Sequence, residues 1–201
     1  PMWNGEQMTV GNYPDVDPGA GDTFQSYDLP WANASNTPFR LHKRWVHEGG
    51  ISTPAIISWP DRIKSSKLIH EPTHIVDISA TMYELAGIEY PSELGGAELT
   101  PLEGQSFIGA INNGGWVRPA PIFWEHEGNR AVRLGDWKLV SEGNTTWELY
   151  NMKDDRTELH DRAGDRQEVL TRMIEMYEIW SARVGALPWP VNGNSAALPR
   201  S

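Results

Sequence analysis

The sequence predicts an α/β chain that ends in a small antiparallel sheet covered by one helix, and three observations carry that reading. A continuous apolar run, Pro54-Ala55-Ile56-Ile57-Ser58-Trp59, reads as a buried strand ended by Pro60. Ile75, Ile78, Met82 and Leu85 then recur at helical spacing, with Gly87 placed to stop the helix. After Pro119 the hydrophobic period changes to that of strands, and a final amphipathic segment follows.

Each element can be justified in chain order. Residues 1 to about 40 are rich in Gly, Pro, Asn and Asp, show little periodicity, and read as a long loop that needs a scaffold. The block Lys43-Arg44-Trp45-Val46-His47-Glu48-Gly49-Gly50 comes next. Its two glycines let the backbone turn sharply before the apolar run. Such a turn can hold Lys43 at the mouth of a sheet, where its ammonium acts as a point charge on a bound oxyanion. From Ile88 to Pro119 the chain is loop-like again, punctuated by Gly95-Gly96, Gly104 and Gly114-Gly115.

Strand candidates are Pro121 to Glu127, Arg130 to Leu134, Trp137 to Val140 and Thr146 to Tyr150. Trp137 and Leu139 alternate with Lys138, and Trp147 and Leu149 alternate with Glu148. Gly135-Asp136 and Glu142-Gly143-Asn144 supply turns. A helix is expected from about Asp165 to Val184, with Val169, Met173, Tyr177, Trp180 and Val184 along one stripe. The implied organisation is a main α/β region with long loops over 1–118, an antiparallel-sheet subdomain with one helix over 119–188, and a tail over 189–201.

Composition narrows the function classes. Among 201 residues the formal net charge is −10, which argues against nucleic acid or an anionic membrane as partner. No apolar stretch approaches membrane length, and the opening Pro1-Met2-Trp3-Asn4-Gly5 shows neither the charged start nor the apolar core of a signal peptide. The absence of cysteine excludes disulfides and thiolate metal sites. Most of the ten tryptophans are assigned to packing.

Several blocks, in order, resemble one family. They are Asp22-Thr23-Phe24, Trp31 to Arg40, Lys43 to Gly50, His74-Ile75-Val76-Asp77-Ile78, Leu85 to Ile88 and Pro101 to Ser106. They continue with Trp124 to Arg133, Gly135-Asp136-Trp137-Lys138-Leu139 and Trp147-Glu148-Leu149-Tyr150. Together they are similar to the C-terminal portion of type I sulfatases of the arylsulfatase group, within the alkaline-phosphatase-like superfamily. The resemblance implies the end of that family's large mixed sheet plus a small antiparallel sheet with a covering helix.

It also implies hydrolysis of aryl or carbohydrate sulfate esters by a formylglycine nucleophile and a calcium ion, and a periplasmic or secreted location. The partners so implied are a sulfated small molecule or glycan and the N-terminal part of the sulfatase. The chain departs from the family where the nucleophile would stand. In Ser35-Asn36-Thr37-Pro38-Phe39-Arg40, counting back from Pro38 and Arg40 puts Asn36 in the nucleophile slot, and an amide cannot become the aldehyde. No paired aspartates precede Lys43, since Asp15 and Asp17 suit a solvated loop. Ala80 replaces a family proline. No metal ligand is assigned within the chain, and by itself it is expected to be inactive.

The resemblance assigns Lys43 to the lysine that contacts the sulfate ester, and His126 and His47 to substrate binding. His126 stands between Glu125 and Glu127, whose carboxylates favour an imidazolium suited to an anionic or hydroxyl-rich substrate. His47 either bonds the turn or faces the cleft, and Glu48 reads as a loop organiser. Arg130 and Arg133 are expected to pair with acidic neighbours, and His70, His74 and His160 lack ligand spacing. Asn33 and Asn144 head glycosylation sequons, which matter only where secreted proteins are glycosylated. Two alternatives are a non-catalytic binding module derived from a sulfatase and a related phosphohydrolase.

Overall fold

The computed structural model describes residues 4–17, 19–26, 28–113 and 116–190. Gly114-Gly115 and all of the expected tail beyond residue 190 lie outside them. Strands β1 (Thr9–Val10) and β2 (Thr23–Phe24) form a short parallel pair. Helix α1 (Asp28–Asn36) and the single turn α2 (Glu48–Ile51) follow, then α3 (Ile75–Ala86). A small antiparallel ladder of β3 (Glu93–Leu94) and β4 (Ala97–Glu98) precedes α4 (Ile108–Asn113). Strands β5 (Ile122–His126), β6 (Asn129–Leu134), β7 (Trp137–Ser141) and β8 (Glu148–Asn151) then build one antiparallel meander, and α5 (Gln167–Val184) closes the described structure.

The meander and α5 match the expectation. Val132, Leu139 and Leu149 pack against Met173 and Tyr177 of α5, with Val169 and Trp180 at the margin. Each wholly buried leucine contributes about 1.5–3 kcal/mol of hydrophobic stabilisation, so this layer anchors the fold. α5 stops where Gly185 takes a left-handed φ of 69°, and Ala186 N donates back to Ser181 O at 2.9 Å. Val184 is largely exposed, so the expected stripe ends one turn early.

The other face of the sheet is also covered, and this was not expected. Ala131, Val140, Tyr150 and Met152 pack against Val46, with Ile51 and Trp124 beside them. The block around α2 is therefore the second lid of the sheet. It explains why Lys138, expected to alternate outward between Trp137 and Leu139, is wholly buried.

The apolar run Pro54 to Trp59 is not a strand. It has no regular structure, and Ile56 is 95% exposed. A two-sided apolar strand requires neighbours on both edges, and the four-stranded sheet is assembled entirely from later residues. Conversely, α1 forms in the region read as loop. Its periodicity is weak because Ala32 is its only buried residue, and Pro30 is tolerated in the first turn. α4 likewise forms within the expected loop, where Phe107, Ala110 and Ile111 cluster with Trp59, Ile63 and Trp116.

α3 forms where its periodicity predicts and ends at Gly87, with φ 64°. Its orientation differs from expectation. Ile75, Ile78 and Met82 are exposed, while Asp77 and Thr81 face inward. His74 N donates to Asp77 Oδ2 at 2.7 Å and Val76 N donates to the His74 ring, a reciprocal N-terminal cap. Arg118 Nη1 and the Gln105 amide also engage the Asp77 carboxylate. A buried carboxylate must be hydrogen-bonded, and those partners dictate which side of α3 turns inward.

Candidate functional site

The site is built where the Lys43 block meets the hairpin β5–β6. Trp45 N donates to His42 O at 3.1 Å, so Lys43 and Arg44 are the central residues of a tight turn. The hairpin turn opposite is Glu127-Gly128, with φ of 53° and 81°. Positive φ at both central residues is the geometry that matches strand twist in a two-residue connection.

Three interactions join the turns. Arg44 Nε lies 3.0 Å from Glu127 Oε2. The buried Asn129 amide donates to Arg44 O at 3.2 Å and His126 O at 3.0 Å, and its Oδ1 accepts from Gly143 N. Trp45 Nε1 donates to Glu142 Oε1 at 2.9 Å, tying in the turn between β7 and β8.

Lys43 and His126 are both exposed beside this junction. His126 ends β5 on the same face as Trp124, the face covered by the Lys43 block. His74, at the start of α3, sets its ring edge-on to Trp124 with centroids 5.7 Å apart. The shared Asn129 amide thus sets the Lys43-Arg44 turn beside the end of β5, with the Lys43 and His126 side chains both exposed.

His47 is placed elsewhere. It is fully buried, with Nε2 3.3 Å from Glu148 Oε2. Tyr150 Oη donates to the same carboxylate oxygen at 2.6 Å, and Arg40 Nη1 donates to Tyr150 Oη at 3.1 Å. The His47 hydrogen bond, with help from Tyr150 and Arg40, holds the Glu148 carboxyl at about 2 despite burial. Burial and the adjacent carboxylate push the Tyr150 phenol well above its usual range.

Beneath the block lies a buried ion cluster that sequence reasoning missed. Lys138 Nζ stands 2.9 Å from Glu48 Oε1 and 2.7 Å from Glu158 Oε1, and the Glu48 amide donates to Glu158 Oε2 at 2.8 Å. Burial pushes the Glu48 carboxyl up, but Lys138, joined by Arg133 and Arg156, makes the net shift downward. Glu48 is therefore an organiser, as expected, through its side chain as well as its amide. The available signal was Lys138 itself, a cation alternating with large apolar neighbours in a strand.

The glycines of the block act by closeness rather than by left-handed turning. A Cβ on Gly49 would collide with the carbonyls of Arg40 and Leu41, and one on Gly50 with those of Trp45 and His42. The expected carboxylate pairing of Arg130 and Arg133 is also corrected. Arg130 lies 4.3 Å over the Trp147 ring and donates to Ser141 Oγ, while Arg133 Nε donates to Gly135 O. Stacking, hydroxyl and carbonyl contacts stand there in place of ion pairs, and Glu125 Oε1 accepts from the Gly128 amide. Among the described residues no group of three or more His, Cys, Asp or Glu side chains stands ready for a metal ion. No described helix is long and apolar enough to cross a membrane.

The family described as N-sulphoglucosamine sulphohydrolase, C-terminal, matches residues 39–178. An uncharacterized sulfatase of Schizosaccharomyces pombe is 33% identical over 188 residues, covering 90% of this chain and 32% of that protein. N-acetylgalactosamine-6-sulfatase of Mus musculus is 32% identical over 63% of this chain and 23% of its own length. Among solved structures, Ps i-CgsB in complex with k-i-k-neocarrahexaose superposes with a TM-score of 0.60 at 26% identity, over 72% of this chain and 32% of that one. The chain spans about a third or less of the length of these relatives.

Proposed function

The chain belongs to the N-sulphoglucosamine sulphohydrolase C-terminal family, the C-terminal portion of sulfatases, and from that premise we propose that it serves hydrolysis of a carbohydrate or aryl sulfate ester by presenting Lys43 and His126 to the sulfate group. What supports this reading is the junction of Arg44, Glu127 and Asn129, beside which Lys43 and His126 are both exposed. Lys43 neutralises charge developing on the ester oxygens, and His126 holds a neighbouring oxygen or hydroxyl. His47 acts indirectly: buried against Glu148, it fixes the block from which Lys43 projects.

The resemblance implies a formylglycine and a calcium ion in the intact enzyme. The described residues include no metal-ready group and the chain has no cysteine. We assign the nucleophile and the metal ligands to the remainder of the sulfatase, and to this chain the binding and orienting of charge. The names of the relatives, which include N-acetylgalactosamine-6-sulfatase and arylsulfatase, support a sulfated sugar or aryl sulfate as substrate.

The test is Lys43→Ala in the intact sulfatase, assayed on an aryl sulfate and on a sulfated hexosamine. Losing one charge-stabilising donor typically costs ~10²–10³ in kcat. His126→Ala should raise KM more than it lowers kcat. Unchanged kinetics in both variants would remove both residues from the site.

A further inference from the structure

A second cleft, of about 190 Å³, lies on the opposite face of the β5–β6 hairpin, between the sheet and the C-terminal end of α5. Drug-sized ligands occupy ~300–1,000 Å³, so the space suits one monosaccharide-sized unit. Glu125, Arg130, Asn144, Tyr177, Ser181 and Trp189 supply its chemistry.

Charge speaks against an anion. Glu125 and Arg130 stand opposite each other in the β5–β6 register without a direct ion pair, so the wall carries one charge of each sign. A carboxylate beside a guanidinium offers both acceptors and donors, the combination that vicinal hydroxyls satisfy. The guanidinium is fixed at the cleft wall: it lies over Trp147 and near Tyr177, and Nη2 donates to Ser141 Oγ and Thr145 O. Burial pushes the Tyr177 phenol up to about 12, so it stays a neutral hydroxyl.

The aromatic side of the cleft is held in place. Asn144 Nδ2 donates to Trp189 O at 3.3 Å, and a Cβ on Gly128 would meet Trp189 Cβ at 3.3 Å. Trp189 remains 39% exposed. An exposed indole lining the same cleft as a carboxylate and a guanidinium matches a ligand with one apolar C–H face and a hydroxylated edge.

We propose that this cleft is a subsite for a neutral, unsulfated pyranose unit of a glycan, with Trp189 as the stacking platform and Glu125 and Arg130 holding adjacent hydroxyls. It rests on the carbohydrate-sulfate reading above and extends it from the sulfate group to the sugar chain. The Glu127-Gly128 turn connects the two places, with Glu127 on Arg44 and Gly128 against Asn144 and Trp189.

The experiment uses the full chain labelled with ¹⁵N, monitored through its indole resonances. The probe is methyl β-D-galactopyranoside, with sodium sulfate as the anionic comparison. The sugar should shift the Trp189 indole saturably, identified by its loss in Trp189→Ala, and sulfate should not. Glu125→Gln should weaken the response by about tenfold in Kd, with the other indole signals confirming that the fold persists. Ser181→Ala, on the accessible end of α5, should weaken it less. The proposal is overturned if a folded chain shows no saturable shift, if Glu125→Gln and Ser181→Ala both bind as before, or if sulfate competes for the same resonance. The probe carries no sulfate and the readout is binding, so failure here leaves the Lys43 turnover test standing, and failure there leaves this one.

Discussion

Arg44 Nε lies 3.0 Å from Glu127 Oε2, and this contact joins the turn that carries Lys43 to the turn that follows His126. The pair is partly exposed, with side-chain exposures of 48% and 23%. Partly exposed pairs contribute only about 0–1 kcal/mol. Glu127→Gln should therefore shift the unfolding midpoint little. In the intact sulfatase it should still reduce turnover, because Lys43 loses a fixed position relative to His126. Wild-type kcat/KM in Glu127→Gln would show that the tether does not matter to the reaction.

Lys138 sits between Glu48 and Glu158 with no exposure. Removing one partner of a buried ionic cluster typically costs about 3–5 kcal/mol, since the remaining charges stay buried. Lys138→Met should destabilise the chain by that order in denaturant titration. Adding Glu48→Gln and Glu158→Gln should recover part of the loss. A triple variant no more stable than the single one would show that uncompensated charge is not the cause.

The acid limb of stability should carry a signature of Glu148. Its folded pKa is depressed from 4.5 to about 2, first by the His47 hydrogen bond and then by that of Tyr150. A depressed carboxylate contributes stability that is fully present above its unfolded value and lost as pH falls through the folded one. The window is thus between 4.5 and about 2, and the size is roughly 1–3 kcal/mol for a partly solvated group. Tyr150→Phe removes one hydrogen bond and should flatten the limb in denaturation measured across pH. An identical slope in that variant would exclude Glu148 as its source.

Gly49 and Gly50 test the packing of the block directly. Ordinary helix positions gain stability when glycine becomes alanine, by up to ~1 kcal/mol. Here the added methyl meets backbone carbonyls, which cannot yield as a flexible side chain would. Gly50→Ala should destabilise and also expose Trp45, seen as altered tryptophan fluorescence. A stabilised or unchanged Gly50→Ala protein would contradict the close approach.

The meander and α5 were legible in the sequence because their information is local. Alternation at Trp137 to Val140 and the stripe through Met173 and Tyr177 each specify a face that must be buried. Gly87 marked the end of α3 for the same reason, since a left-handed residue closes a helix whatever surrounds it. The resemblance read at blocks such as Lys43 to Gly50 agrees with the family that matches residues 39–178. The tertiary structure decided what lies on the second face of the sheet. It buried Lys138 and His47, turned the apolar stripe of α3 outward and left Pro54 to Trp59 uncovered. It also brought the end of β5 against the distant Lys43-Arg44 turn, through Asn129 and the Arg44–Glu127 pair. Periodicity states that a face is covered but not by what, whereas buried charge and hydrogen bonding depend on partners distant in sequence, and only the assembled chain supplies them.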